Sequence, residues 1–361
     1  MDISKIEYKI PLMKEVRELS SKKLFNVISF FAGGGGSSLG YRMAGGEVLA
    51  INEFVDSARE TYRANWKDTK IYPNDIRELK GEDILKDLNL KRGELDILDG
   101  SPPCASFSLS GNREKDWGKV KKYSDKTQRT DDLFYEYARM VEEIYPKVFI
   151  AENVKGMTLG ASSNLLGSAQ LGMFGEHKET IYHTLTDKGY NVTYRVLNSK
   201  HYGVAQSRER LIIVGVRKDI NKRFTFPKHS NYIFNLEEAF KTVKNTEEEL
   251  KEANVEKYAI YKELLKIGHG ESSTKYFNLV KVDPKRPSFT LTQTAGNIGA
   301  ASIAHWDNRK FTVSEAKRIM SFPDDYILEG KYQERVERLG RAVPPLLLKA
   351  VAEQVYNQIL I

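Results

Sequence analysis

Residues 24–40 read Leu24-Phe25-Asn26-Val27-Ile28-Ser29-Phe30-Phe31-Ala32-Gly33-Gly34-Gly35-Gly36-Ser37-Ser38-Leu39-Gly40. Leu24 to Phe31 is apolar except for Asn26 and Ser29, the pattern of a short buried strand. It runs straight into the glycines and then into an amphipathic segment. A strand that enters a glycine-rich turn and leaves as a helix is a nucleotide-type binding loop. Glycine permits the tight turn and lets a ligand approach the backbone. The spacing is not the dinucleotide pattern G-x-G-x-x-G, and no Gly-Lys-Ser/Thr follows as in a P-loop. A plain flexible linker is the alternative, and the placement between a strand and a helix argues against it. The expected fold is α/β, a Rossmann-like, mostly parallel sheet with helices on both faces.

Working outward, the next strand, Gly46 to Ile51, ends in Asn52-Glu53-Phe54. An acid at the end of the second strand can take two ribose hydroxyls, and Phe54 beside it can pack on an adenine. The blander readings are a surface acid and a core aromatic. A helix over Val55 to Asn65 leads to Ile71-Tyr72-Pro73-Asn74-Asp75-Ile76, where Asp75 is placed either to accept from an adenine amine or to cap a helix. Loop and acid together describe an adenosine-containing ligand without a pyrophosphate, and S-adenosylmethionine fits.

Leu95 to Leu98 is a further apolar strand, and it delivers Asp99-Gly100-Ser101-Pro102-Pro103-Cys104-Ala105-Ser106-Phe107-Ser108. Cys104 is the only cysteine of the 361 residues. The prolines turn the backbone away from any ladder. A thiol at the C-terminal end of a strand sits where such sheets bind ligands, although free core cysteines are common. Leu109 to Arg129 is polar and basic, which fits either a lid closing over phosphates or a solvated insertion. Asp131 to Ile144 has one apolar face and reads as a helix. Val148 to Ala151 is a strand ending in Glu152-Asn153-Val154-Lys155-Gly156. Adjacent ends of a parallel sheet meet at one edge, so Glu152 and Cys104 are expected to share a pocket.

Glu176 to Gly189 is helical in character and Tyr190 to Leu197 alternates as a strand. Gln206-Ser207-Arg208-Glu209-Arg210 then precedes the apolar strand Leu211 to Val216. Two arginines two apart can point to one side, suited to a phosphate or a base carbonyl, or to pairing with Glu209. After Arg217 the alternation loosens into a charged helical stretch, Leu236 to Ile267, followed by strand-like Pro287 to Thr292 and helices at Ser314 to Met320, Tyr332 to Leu339 and Leu346 to Leu360. We therefore expect a catalytic domain over 1–217, a small domain over 218–300, and a C-terminal segment, 301–361, whose last helix returns to the first domain.

The bulk numbers exclude several classes. Hydrophobic residues make up 40% and charged residues 29%, as in a globular enzyme. No apolar run is long enough to span a membrane, and Met1 to Lys14 lacks an apolar signal core, so secretion is not expected. One cysteine cannot build a disulfide framework, and six scattered histidines do not form a zinc-hydrolase motif. The formal charge of +7 is compatible with a polyanionic partner without demanding one.

A cysteine, a facing carboxyl, an adenosine-type pocket and basic flanks point to covalent catalysis on a base. Carbon 5 of cytosine is a poor nucleophile until a thiolate adds at carbon 6. The base must leave the duplex to be reached. The chain resembles the DNA (cytosine-5) methyltransferase family over nearly its whole length. The resemblance rests on Phe31-Ala32-Gly33-x-Gly35-Gly36 with Gly40, Glu53, Pro103-Cys104 with Phe107-Ser108, and Glu152-Asn153-Val154-x-Gly156. It continues with Gln206-x-Arg208-x-Arg210, Arg286-Pro287 with Thr290, and Ala342-Val343-Pro344.

The resemblance implies Cys104 as nucleophile and Glu152 as the partner of cytosine N3. Arg210 would hold O2, and Arg208 would support the pocket or a nearby phosphate. Phe31, Gly33, Gly35, Gly36, Glu53, Phe54, Asp75, Ile76 and Leu133 would surround S-adenosylmethionine, with S-adenosylhomocysteine as product and no metal. Region 218–300 would read double-stranded DNA. A cytoplasmic, nucleoid-associated monomer is expected, with a cognate restriction endonuclease acting separately if one exists. Two positions depart from the family pattern, Ala105 for Gln and Arg341 for Asn. A transfer-RNA methyltransferase on the same scaffold, a binding module without activity, and a thiol enzyme independent of S-adenosylmethionine are the competing readings.

Overall fold

One seven-stranded sheet organises the computed structural model, which describes residues 7–103, 121–123, 126–128, 132–155 and 185–361. In chain order the strands are β1 (Asn26–Phe30), β2 (Glu47–Asn52), β3 (Lys70–Tyr72), β4 (Ile97–Gly100), β5 (Lys121–Tyr123), β6 (Lys126–Gln128), β7 (Val148–Val154), β8 (Tyr190–Asn198) and β9 (Glu209–Arg217). The sheet runs β3-β2-β1-β4-β7-β9-β8, while β5 and β6 pair with each other as an antiparallel hairpin. β3, β2, β1, β4 and β7 are parallel; β9 is antiparallel to β7 and to β8. The strand order reverses between β1 and β4, and in open α/β sheets ligands bind at the carboxyl ends beside that switch.

Alternation along the strands sorts the apolar residues onto two faces. Val27 of β1 and Val148 and Ile150 of β7 join a core with Met13, Val16, Leu39, Leu347, Leu348 and Val351. These come from α1 (Met13–Ser20), α2 (Gly36–Met43) and the last helix, Pro345–Val355. Ile28, Phe30, Phe149 and Ala151 face the opposite core, built on α4 (Gly81–Asp87) and α5 (Leu133–Ile144), the latter through Phe134, Tyr137, Met140, Val141 and Ile144. Helix α3 (Asp56–Asn65) follows β2. A satellite core of Val255, Ile260, Leu264, Leu279 and Ala304 sits in the later chain. There Val280–Lys281 pairs with Ile303–Ala304, joining the two sides of the boundary expected at residue 300.

The last helix returns to the glycine loop as expected. A Cβ on Gly40 would lie 2.6 Å from Leu348 Cβ and 2.7 Å from the Pro345 carbonyl, so only a glycine lets the two helices come this close. Three expectations need correction. The stretch Leu236 to Ile267 is three short helices, Leu236–Phe240, Glu247–Ala253 and Ala259–Leu264, each begun afresh by its own N-cap at Asn235, Thr246 or Tyr258. Pro287 to Thr292 forms no named strand; its one ladder contact is the bridge Gln206–Ser288. The strand expected to stop at Ala151 runs to Val154, because β9 continues to pair with it as far as Val154–Arg210. Most of the expected lid and of the helix Glu176 to Gly189 lies outside the described residues.

Candidate active site

The five parallel strands β1, β2, β3, β4 and β7 all end at the switch-point edge. β4 ends at Gly100, opposite Ala151. β7 therefore overhangs β4 by Glu152, Asn153 and Val154, and Ser101 to Pro103 run out beside that overhang. Cys104, Ala105 and Gly156 lie outside the described residues.

Glu152 lies opposite Ile212, and Val154 lies opposite Arg210. Residues two apart on a strand share a face, so the Glu152 and Arg210 side chains project together. Arg210 Nε lies 2.8 Å from Glu152 Oε1, and both side chains are nearly buried, at 13% and 11% exposed. Glu152 continues the alternation set by Val148 and Ile150, a carboxylate where the next apolar residue of that face would stand. Such a pair is kept at a cost in desolvation that its mutual attraction only partly returns.

Arg208 has a different setting from Arg210. It is 2% exposed, and its guanidinium donates to the carbonyls of Leu291 at 2.9 Å and of Gly340 and Ala342 at 3.0 Å each. It ties the start of β9 to two distant segments. Of the two roles expected for it, this geometry suits support of the pocket; a phosphate would have to displace those carbonyls.

The glycine loop is shaped by left-handed backbone. Phe31, Gly33 and Gly35 have φ of 56°, 54° and 90°, and an aromatic residue in that region is uncommon. The Gly33 amide donates to Glu53 Oε2 at 2.6 Å, and the Val55 amide donates to Glu53 Oε1 at 2.7 Å. Each carboxylate oxygen thus receives one backbone hydrogen bond and keeps a lone pair. Burial raises the Glu53 pKa, opposed by these amides and by Arg338 and Arg59. Beside Gly33 a Cβ would meet no atom within 4 Å, so open space adjoins the loop there. Gly35 and Gly36 are instead closed over: their Cβ atoms would lie 2.5 Å from Tyr326 Oη and 2.5 Å from the Val343 carbonyl. Phe31 and Phe54 are half-buried. Ile76 and Leu133 are buried in the core against which Phe31 packs.

Asp75 caps the 3₁₀ turn Ile76–Glu78. Its Oδ1 accepts from the Arg77 amide at 3.0 Å and its Oδ2 from Arg77 Nη1 at 2.7 Å. The helix-cap alternative is therefore realised, and any ligand amine would share the carboxylate with Arg77.

Sequence reasoning assigned no role to Asp99, Tyr41 or Tyr326. Asp99, at the end of β4, is 1% exposed. It accepts from Ser29 Oγ at 2.5 Å and from Tyr41 Oη at 2.8 Å. Burial, with a contribution from the Glu152 charge, pushes its pKa up to about 7. Tyr326 Oη donates to the Gly34 carbonyl at 2.7 Å. The signal for Asp99 was present, a carboxyl at a buried strand end in the stretch leading to the cysteine. Tyr326 lies 292 residues from its partner, and no local pattern announces it.

The description "C-5 cytosine-specific DNA methylase" belongs to the family whose model matches residues 25–357. Among curated relatives, the type II methyltransferase M.Eco47II of Escherichia coli is 30% identical over 93% of this chain and 80% of its own length. M.Sau96I of Staphylococcus aureus is 28% identical over 99% of this chain and 81% of its own. Among solved structures, a candidate DNA modification methyltransferase encoded within an E. coli prophage superposes with a TM-score of 0.70 at 19% identity, covering 93% of this chain and all of that one. A DNMT2 variant from Spodoptera frugiperda gives 0.65 at 18%, covering 90% and 97%. At these identities the structures speak to the fold alone.

Proposed function

The chain belongs to the C-5 cytosine-specific DNA methylase family and is a DNA (cytosine-5) methyltransferase, and on that premise we propose that Cys104 and Glu152 carry the chemistry. The observation that supports this most is the Glu152–Arg210 pair, held at the sheet edge beside the strand that leads into Cys104.

In this reading the Cys104 thiolate adds to carbon 6 of a cytosine drawn out of the duplex. The ring electrons move towards N3, which takes a proton relayed from solvent through the Glu152 carboxyl. Carbon 5 becomes an enamine-type nucleophile. Arg210 fixes the carboxyl and donates towards the O2 carbonyl. After methylation N3 returns its proton to Glu152, and loss of the carbon-5 proton to water with expulsion of the thiolate restores the aromatic ring.

S-adenosylmethionine supplies an electrophilic methyl group when bound. The residues present fit it: open space beside Gly33, two free lone pairs on the oriented Glu53 carboxylate for a ribose diol, and the aromatic surfaces of Phe31 and Phe54. Ile76 and Leu133 back that wall from beneath, and Asp75 accepts from the adenine amine alongside Arg77. Gly35 and Gly36 hold the loop against the C-terminal segment. Arg208 acts as a positioning residue behind the base pocket. We further read residues 218–300 as the target-recognition region, and the protein as an intracellular monomer acting on double-stranded DNA. Type II relatives favour a restriction-modification context, with any endonuclease acting separately.

Methylating DNA of known sequence with the purified protein, then mapping 5-methylcytosine by bisulfite sequencing, tests the reading. The expected result is one protected cytosine within a short recurring sequence. No protected cytosine in any duplex would overturn it. Methylation confined to folded RNA would move the substrate to the RNA reading.

A further inference from the structure

One cationic cavity near the sheet edge has no part in the chemistry above. It is open to solvent and offers about 540 Å³ between the end of β8, the turn after it and the segment 226–229, with Arg195, Lys228 and His229 exposed at its rim. Its lining includes Arg195, His201, Glu209, Phe226, Lys228 and His229. The register places it. Arg195 lies opposite Ile212, and Ile212 lies opposite Glu152. Opposed residues face the same side, so Arg195 and Glu152 share a face two strand spacings apart, roughly 10 Å. Asn198 pairs with Glu209 at the same end of the sheet as Arg210. The cavity therefore flanks the Glu152–Arg210 pair.

Its chemistry is that of an anion site. Arg195, His201, Lys228 and His229 make no ion pair among the described residues, and the one acid in the group, Glu209, is held by Lys155 at 2.9 Å. The Arg195 guanidinium lies 5.3 Å from the centre of the Phe226 ring, and the His201 and His229 rings are 5.2 Å apart. His201 Nδ1 is shielded from solvent and has no hydrogen-bond partner among the described residues. A buried nitrogen left unpartnered beside unpaired cations is costly unless a ligand completes it. The volume exceeds that of a bare phosphate, and the Phe226 ring offers an apolar wall for a sugar.

We propose that this cavity seats a sugar-phosphate of the substrate DNA strand close to the target nucleotide, with Arg195, Lys228 and the two histidines around the phosphate. The site rests on the DNA methyltransferase reading. It would fix the register of the strand from which the base is drawn, without reading sequence.

The test uses the full-length protein and a duplex carrying its mapped site, with single neutral methylphosphonates walked along each strand. Binding is followed by fluorescence anisotropy over a range of salt. Wild type is expected to lose roughly ten-fold in affinity at one or two linkages near the target cytosine. The double variant Arg195→Ala, Lys228→Ala should bind unmodified duplex about ten-fold more weakly, with a salt slope smaller by about 1. It should show no further loss at those linkages. Arg195→Lys with Lys228→Arg, which keeps both charges, should recover most of the affinity. A double variant with wild-type affinity and salt slope, or one that still loses the full factor at the same linkages, would overturn the proposal. So would saturable binding of inorganic phosphate that leaves DNA affinity unchanged, because it would assign the cavity to a free anion. Failure of the wild type to bind any duplex would instead strike the methyltransferase reading itself.

Discussion

Asp99 carries the clearest electrostatic consequence at the scale of single residues. Its carboxyl, pushed up to about 7 by burial, keeps a proton in the folded protein that the unfolded chain releases near pH 4. The folded state therefore binds more protons between about pH 4 and 7. The contribution of this group to stability is complete below pH 4 and is lost as pH rises through 7. The shift corresponds to about 4 kcal/mol at most. Asp99→Asn keeps an acceptor for one hydroxyl and offers a donor to the other, so the variant should fold. Its denaturation midpoint should vary less with pH across that window than wild type's, and an unchanged pH profile would count against a buried, protonated Asp99. The neighbouring pair behaves differently. Glu152→Gln keeps the shape but cannot pass a proton to N3, and turnover should fall by roughly 10²–10⁴-fold. Binding of S-adenosylmethionine, measured by calorimetry, should be unaffected, because Glu53 and the glycine loop are untouched.

Elements show which features a local pattern can carry. The strand–glycine–helix run, the alternation of β7 and the apolar face of α5 were legible because periodicity and turn chemistry act over a few residues. The extension of β7 to Val154 was not, since it depends on β9 pairing from 56 residues further along. Asp75 shows the opposite limit: its two readings use the same residue, and only the position of Arg77 decides which is met in the fold. Arg208 and Arg210 look alike in sequence, yet one is tied to three carbonyls and the other meets Glu152, because β9 begins at Glu209: Arg210 is held in the ladder opposite Val154, while Arg208 precedes it among distant segments. The glycines divide in the same way. Gly36→Ala would drive a Cβ to 2.5 Å from the Val343 carbonyl and should cost about 1–3 kcal/mol, seen as a lowered melting temperature. Gly33→Ala meets no atom within 4 Å, so beyond the strain of its φ of 54° the fold should tolerate it. Its main expected effect is weaker binding of S-adenosylmethionine. Equal destabilisation by both substitutions would contradict the assignment of open space beside Gly33.

For the whole molecule, the first and last thirds of the chain close one site. Tyr326, Val343 and Leu348 cover the glycine loop and α2, while Arg208 joins β9 to Leu291 and to the end of the helix Tyr332–Arg341. The return of the last helix was expected from the sequence, but the ties themselves were invisible to it, being side chain to backbone contacts across 83 to 292 residues. Arg208→Ala removes the donor of three carbonyls, two of them in buried hydrogen bonds, and should destabilise the protein by about 3 kcal/mol in a chemical denaturation series. A change below about 0.5 kcal/mol, the scale of an ordinary surface substitution, would mean that the tie is not structural.

In the proposed chemistry Cys104 attacks a flipped cytosine with Glu152 and Arg210 at its edge. Incubating the protein and S-adenosylmethionine with a duplex bearing 5-fluorocytosine at the mapped position tests it most directly, because fluorine replaces the carbon-5 proton and blocks release. The expected result is a covalent protein–DNA complex that survives denaturing electrophoresis, with its cross-link on Cys104 by mass spectrometry and no complex from Cys104→Ala. Transfer of the methyl group without such a complex, or an adduct that persists in Cys104→Ala, would contradict it.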